Sequence, residues 1–183
     1  SELFQGKLNF NSDISSWDVS NVTNMRQMFH NAQNFNSNIS AWDVSNLTNM
    51  DRMFLICNSF NQDLSDWNVS SVTNIKGMFY EAGSFNQDIG DWDVRNVTNL
   101  SVFFIRGTSF NQEIGDWDVS KGNNFAYMFY EADSFNQDLR NWALNENAYF
   151  EEIFKGADLM QSNQGVGDTP SIYYFNPFPD KSF

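Results

Sequence analysis

The chain has 183 residues, 41% of them hydrophobic, and carries a formal net charge of −13. That balance excludes free nucleic acid and anionic lipid as partners, since both need a basic patch, and it favours cations or basic surfaces. With Cys57 as the single cysteine no intramolecular disulfide can form, and no run of about 18 apolar residues is present to span a membrane as a helix.

The first residues, SELFQGKLNF, are neither a signal peptide nor a lipid-attachment sequence. Leu3-Phe4 stands 25 residues before Met28-Phe29, so residues 1–9 read as the end of a preceding partial repeat. From Phe10 the repeat is open to view. Trp17, Trp42, Trp67, Trp92, Trp117 and Trp142 follow one another at steps of 25 residues, as do Phe10 to Phe135 and Phe29 to Phe154. A fixed period in the twenties marks units that bury their apolar face only against their neighbours. Residues 10–159 are therefore expected to form a six-repeat solenoid.

Within one copy, Trp17 and Val19 alternate as in a strand with one buried face. Met25, Met28, Phe29 and Ala32 fall at i, i+3, i+4 and i+7, the pattern of one helix face, with Thr23 or Asn24 as N-cap. The predicted fold class is an α/β repeat solenoid: a right-handed, leucine-rich-repeat-like array of about six strand-turn-short helix rungs. Gly122 and Asn147 replace the Val22-type residue in the last two copies, as terminal repeats often do. Residues 160–183, with Tyr173, Tyr174 and Phe175, read either as a C-terminal cap or as a docking tail.

The spacing Ile14-x-x-Trp17-x-Val19 has the form of a leucine-rich strand, and NVTNMxxMFxxAxxF continues it. Over roughly Phe10 to Ala157 the chain resembles the BspA-like leucine-rich repeats, the bacterial surface protein 26-residue repeat of Mycoplasma and Listeria lipoproteins. That resemblance implies a protein at the cell surface or outside the cell, often an adhesin, with no catalytic residues.

Stacked copies turn equal positions into columns about 4.8 Å apart. One column is Asp18, Asp43, Asn68, Asp93 and Asp118; its neighbour holds Asp66, Asp91 and Asp116. On the concave face these would form an acidic stripe, read as a solvated surface, as a seat for a basic protein partner, or as a calcium site; the last lacks any Asp-x-Asp-x-Asp-Gly loop. The column Asn11 to Asn136 is expected to hydrogen-bond from rung to rung. Leu55, Ile56, Tyr80, Val102, Ile105, Tyr127 and Tyr130 vary between copies, and either fill gaps or merge into a convex apolar patch.

His30 has no second His, Cys or Ser placed with it, and Cys57 shares a column with Ala32 and Ala82, which suits a buried filler. No enzyme, cofactor or metal motif is present. The expected function is a non-enzymatic protein-binding module acting through the acidic face. The alternative is a structural subunit of a larger complex, fixed by the convex patch and the tail.

Overall fold

The structure, a computed structural model, describes residues 2–175. Residues 176–183 of the expected tail lie outside the described residues.

The repeats stack, but not as strands and helices. Among the described residues the only helices are α1 (Asp158–Gln164) and α2 (Ile172–Phe175), both beyond the repeats. Pairing among the described residues amounts to isolated parallel bridges from Asn24↔Asn49 to Asn124↔Tyr149, and no sheet forms there. The leucine-rich-repeat-like α/β solenoid is thus overturned. Each rung is a chain of turns.

The segment expected to be helical shows why. The N–H groups of Met25, Gln27, Phe29 and Asn31 donate to the carbonyls of Asn49, Asp51, Met53 and Leu55 in the next rung, at 2.7–3.0 Å. Between them Met28, His30 and Ala32 donate three residues back, to Met25, Gln27 and Phe29. An α-helix would spend these donors on carbonyls four residues back, inside its own turn. Spacing forbids it. Phe29, Phe54, Phe79 and Phe104 stack ring on ring at 5.6–5.7 Å, whereas packed helices need axes about 8–10 Å apart. A rung this thin has no room for a helix.

The turn chain requires left-handed residues. Gln27 and Asn31 have φ of 55° and 58°, and the same two positions recur as Arg52 and Ile56, Val102 and Arg106, and Tyr127 and Glu131. Such a conformation costs a non-glycine residue on the order of 1 kcal/mol, and most for β-branched Ile56 and Val102. Gly77 occupies one of these positions at φ 59° without that cost. The rung-to-rung hydrogen bonds offset the strain elsewhere.

The expected strand at Trp17–Val19 is irregular chain between two turns. Asp18 accepts a hydrogen bond from the Ser20 N–H instead of exposing a ladder edge. Asn24, expected as a helix cap, accepts the Arg26 N–H at 2.9 Å in a similar turn.

Aromatic columns fill the interior. Phe29 lies on Phe35 with centroids 3.9 Å apart, and Phe54–Phe60, Phe79–Phe85, Phe104–Phe110 and Phe129–Phe135 repeat the pair at 3.9–4.0 Å. Each buried ring contributes about 1.5–3 kcal/mol. The tryptophans lock rungs together: Trp42, Trp67, Trp92, Trp117 and Trp142 donate their indole N–H to the carbonyls of Ile14, Ile39, Leu64, Ile89 and Ile114, one rung back. Cys57 is buried and its thiol donates to the Phe29 carbonyl, and burial pushes its pKa far up.

At the C-terminal end the last rung is covered. The Phe154 N–H donates to the Asp168 carbonyl and the Glu152 N–H to the Thr169 hydroxyl oxygen. Phe175 is fully buried and stacks on Trp142 at 6.3 Å. The Tyr174 hydroxyl oxygen is buried with no hydrogen-bond partner among the described residues. Tyr173 points away and is 66% exposed.

Candidate binding surfaces

The acidic columns are first of all turn formers. Asp18, Asp43 and Asp118 each accept two hydrogen bonds on Oδ1, from the N–H (3.0–3.1 Å) and hydroxyl (2.6–2.7 Å) of Ser20, Ser45 and Ser120. Asn68 does the same with Ser70, so the turn needs the oxygen and not the charge. Asp93 accepts the Arg95 N–H in the same way at 3.3 Å and pairs with the Arg95 guanidinium at 2.7 Å. The serine hydroxyls hold Asp18, Asp43 and Asp118 below the ordinary value of 3.8.

A depressed carboxylate contributes stability that is fully present above its unfolded pKa and is lost as pH falls through the folded one. The thermal midpoint should therefore fall from about pH 4 downward. Asp43→Asn, which keeps the oxygen as Asn68 does, should preserve the fold and shallow that decline. Melting followed by circular dichroism from about pH 5 to about pH 2 checks both.

Asn11, Asn36, Asn61, Asn86 and Asn111 form a ladder, each Oδ1 accepting the backbone N–H of the next asparagine at 2.8–2.9 Å. Gln62, Gln87, Gln112 and Gln137 donate to the same oxygens at 2.9–3.0 Å. The ladder satisfies backbone groups that no sheet provides for.

Beside it runs a groove of about 350 Å³ lined by Asp88, Gly90, Asp91, Glu113, Gly115, Asp116, Gln137, Asp138 and Asn141. Asp91 and Asp116 thus meet Asp88, Glu113 and Asp138, and none of the Asp18 column lines the groove. Asp66 is exposed one rung earlier, outside it. Two glycines bring the rungs close. A Cβ on Gly90 would stand 2.6 Å from the Glu113 carbonyl oxygen, and one on Gly115 2.5 Å from that of Asp138. Earlier copies carry Ser15, Ser40 and Ser65 at this position, so the NQ[DE]IGD wording of the fourth and fifth copies was the available signal.

Arg140 pairs with Asp138 and is the first cause of its lowered pKa. Asp88, Asp91, Glu113 and Asp116 make no ion pair among the described residues. Nor, among those residues, does any group of three or more His, Cys, Asp and Glu side chains stand ready to hold a metal ion.

The other surface is less apolar than a merged patch. Tyr80, Ile105, Tyr127 and Tyr130 surround a shallow depression of about 270 Å³ together with Arg106 and Glu152. Leu55, Ile56 and Val102 are half-buried and lie outside it, and Ile105 is only 9% exposed. Arg106 bridges three rungs, reaching Glu81 at 2.9 Å and Glu131 at 2.6 Å. Sequence reading missed this charged rail, whose signal was an arginine flanked by glutamates one period either side.

These features define a repeat protein of stacked 25-residue rungs, aromatic inside and bounded by polar turns. Residues 1–88 and 63–167 match the family described as "Mycoplasma protein of unknown function, DUF285", and the chain belongs to it. No curated protein matches the chain. Among the described residues no helix is long and apolar enough to cross a membrane.

Proposed function

We propose that the chain is a non-enzymatic recognition module that takes a lysine- or arginine-rich segment of a partner protein in the groove of Asp88, Asp91, Glu113 and Asp116. The observation that carries this reading is the lack of internal cations for those four carboxylates, while Asp93 and Asp138 have arginines of their own. Like charges on successive rungs repel, and a basic segment laid along the groove relieves that repulsion. Kinship with the bacterial surface protein repeats belongs to the same proposal, with a place at the cell surface or outside the cell.

Titration with a Lys/Arg-rich peptide tests it. The double variant Asp91→Asn, Asp116→Asn should bind about tenfold more weakly, two exposed ion pairs being worth up to about 1 kcal/mol each, and added salt should weaken the wild type steeply. Binding indifferent to both changes would sink the proposal. A structural subunit role is the second reading, favoured by the tyrosine-lined depression and exposed Tyr173. Association that survives high salt and is lost in Tyr127→Ala would favour it.

A further inference from the structure

The tyrosine-lined depression arises from a change of residue within one column. Tyr80, Ile105 and Tyr130 occupy the same position in three successive rungs. Their buried neighbours Phe79, Phe104 and Phe129 step by 5.7 and 5.8 Å, so the two tyrosines stand two such steps apart. Ile105 is shorter than either and only 9% exposed, and it floors a notch one rung thick between them. Tyr127 adds a second wall, its ring 6.1 Å from that of Tyr130 and inclined to it by 58°. Lys155, in the following rung, stands over the Tyr130 ring at 5.8 Å. At about 270 Å³ the depression lies just below the ~300–1,000 Å³ of sites for drug-sized ligands, which suits a single ring.

The charges of the depression are already neutralised within the chain. Arg106 donates from Nε to Glu131 and from Nη1 to Glu81, and Glu152 accepts from Lys155 on Oε1. Among the described residues Arg106 Nη2 and Glu152 Oε2 make no hydrogen bond, so one donor and one acceptor remain beside the aromatic walls. An ionic ligand would have to compete with an internal ion pair for its counter-charge. A wholly apolar ligand would cut the spare donor and acceptor off from water without replacing it. A ring with an apolar face and a rim of hydroxyls meets both conditions. We infer that the depression is a binding site for one neutral pyranose ring. Its C–H face lies on a tyrosine ring, one hydroxyl donates to Glu152 Oε2, and another accepts from Arg106 Nη2. The site stands apart from the acidic groove, with which it shares no lining residue.

The probes are the methyl pyranosides of glucose, galactose, mannose and N-acetylglucosamine, titrated into the full chain labelled with fluorine on its tyrosine rings. Expected are saturable shifts of the Tyr127 and Tyr130 signals with at least one of them, with a dissociation constant on the order of 1 mM for so small a ligand. Added salt should leave the shifts unchanged, and exposed Tyr149 and Tyr173 should stay in place. Tyr127→Gly and Tyr130→Leu install residues that the chain itself carries at those positions, Gly77 and Leu55, and Gly77 has the same φ of 59° as Tyr127. Both variants should therefore fold, and each should weaken binding about three- to tenfold, read at the tyrosine that remains. The inference is overturned if none of the four glycosides gives a saturable shift, or if both folded variants bind as the wild type does. Methyl glucuronide binding as tightly as methyl glucoside would also overturn it, since the site would then not select a neutral ring.

Discussion

Trp92→Ala is expected to cost about 3–5 kcal/mol, the range for large aromatic truncations in a core. Trp92 is 4% exposed, and its indole N–H is the donor to the Leu64 carbonyl at 3.0 Å. Truncation opens a cavity mid-stack and leaves that buried carbonyl unpaired. Trp92→Phe separates the two effects: most of the volume remains, and the loss should be about 1–3 kcal/mol from the orphaned carbonyl. Trp17→Ala is the internal contrast. With 41% exposure and an indole N–H that has no hydrogen-bond partner among the described residues, it should cost less than about 2 kcal/mol. Urea unfolding of the three variants provides the test. In a linear array a weakened middle rung should also divide unfolding into two transitions. Equal losses at Trp17 and Trp92 would mean that the tryptophans do not couple the rungs.

Phe175→Ala should have a comparable but local effect. Phe175 is fully buried against Trp142, Phe154 and Phe150, so its truncation is again of the about 3–5 kcal/mol class. The loss falls on the last rung. Hydrogen exchange should quicken first at the N–H groups of Phe129 and Glu131, which donate to Ile153 and Lys155, and remain slow at Phe29. Tyr173→Ala, two residues away and largely exposed, should change neither. A stack that melts no earlier in Phe175→Ala would show that the C-terminal segment rests on the rungs without stabilising them.

Much of the interior was legible in advance. The periods of Trp and Phe name the residues that form columns, and the structure buries Trp42 to Trp142 and Phe29 to Phe154. The asparagine ladder was legible for a related reason: an amide side chain repeated at one position can satisfy its neighbour's backbone. The acidic surface was legible only as composition. Asp91 and Asp116 lie in the groove, but their companions are Asp88, Glu113 and Asp138, while Asp18, Asp43 and Asp118 close turns with serines. Alternation along an assumed strand paired the wrong columns, because it presumed a straight backbone where there are turns.

What the amino-acid sequence determined by itself is therefore the repeat, the identity of its buried columns and the excess of negative charge. The path of the backbone between those columns was decided by the tertiary structure. Met25, Met28, Phe29 and Ala32 share a buried side in an α-helix and equally in a run of turns with left-handed residues at Gln27 and Asn31. Apolar spacing specifies which side chains face inward and is silent on where each N–H finds its acceptor. That choice was made by the neighbouring rung: with rings stacked 5.6–5.7 Å apart, a carbonyl of the next copy lies within reach and a helix does not fit.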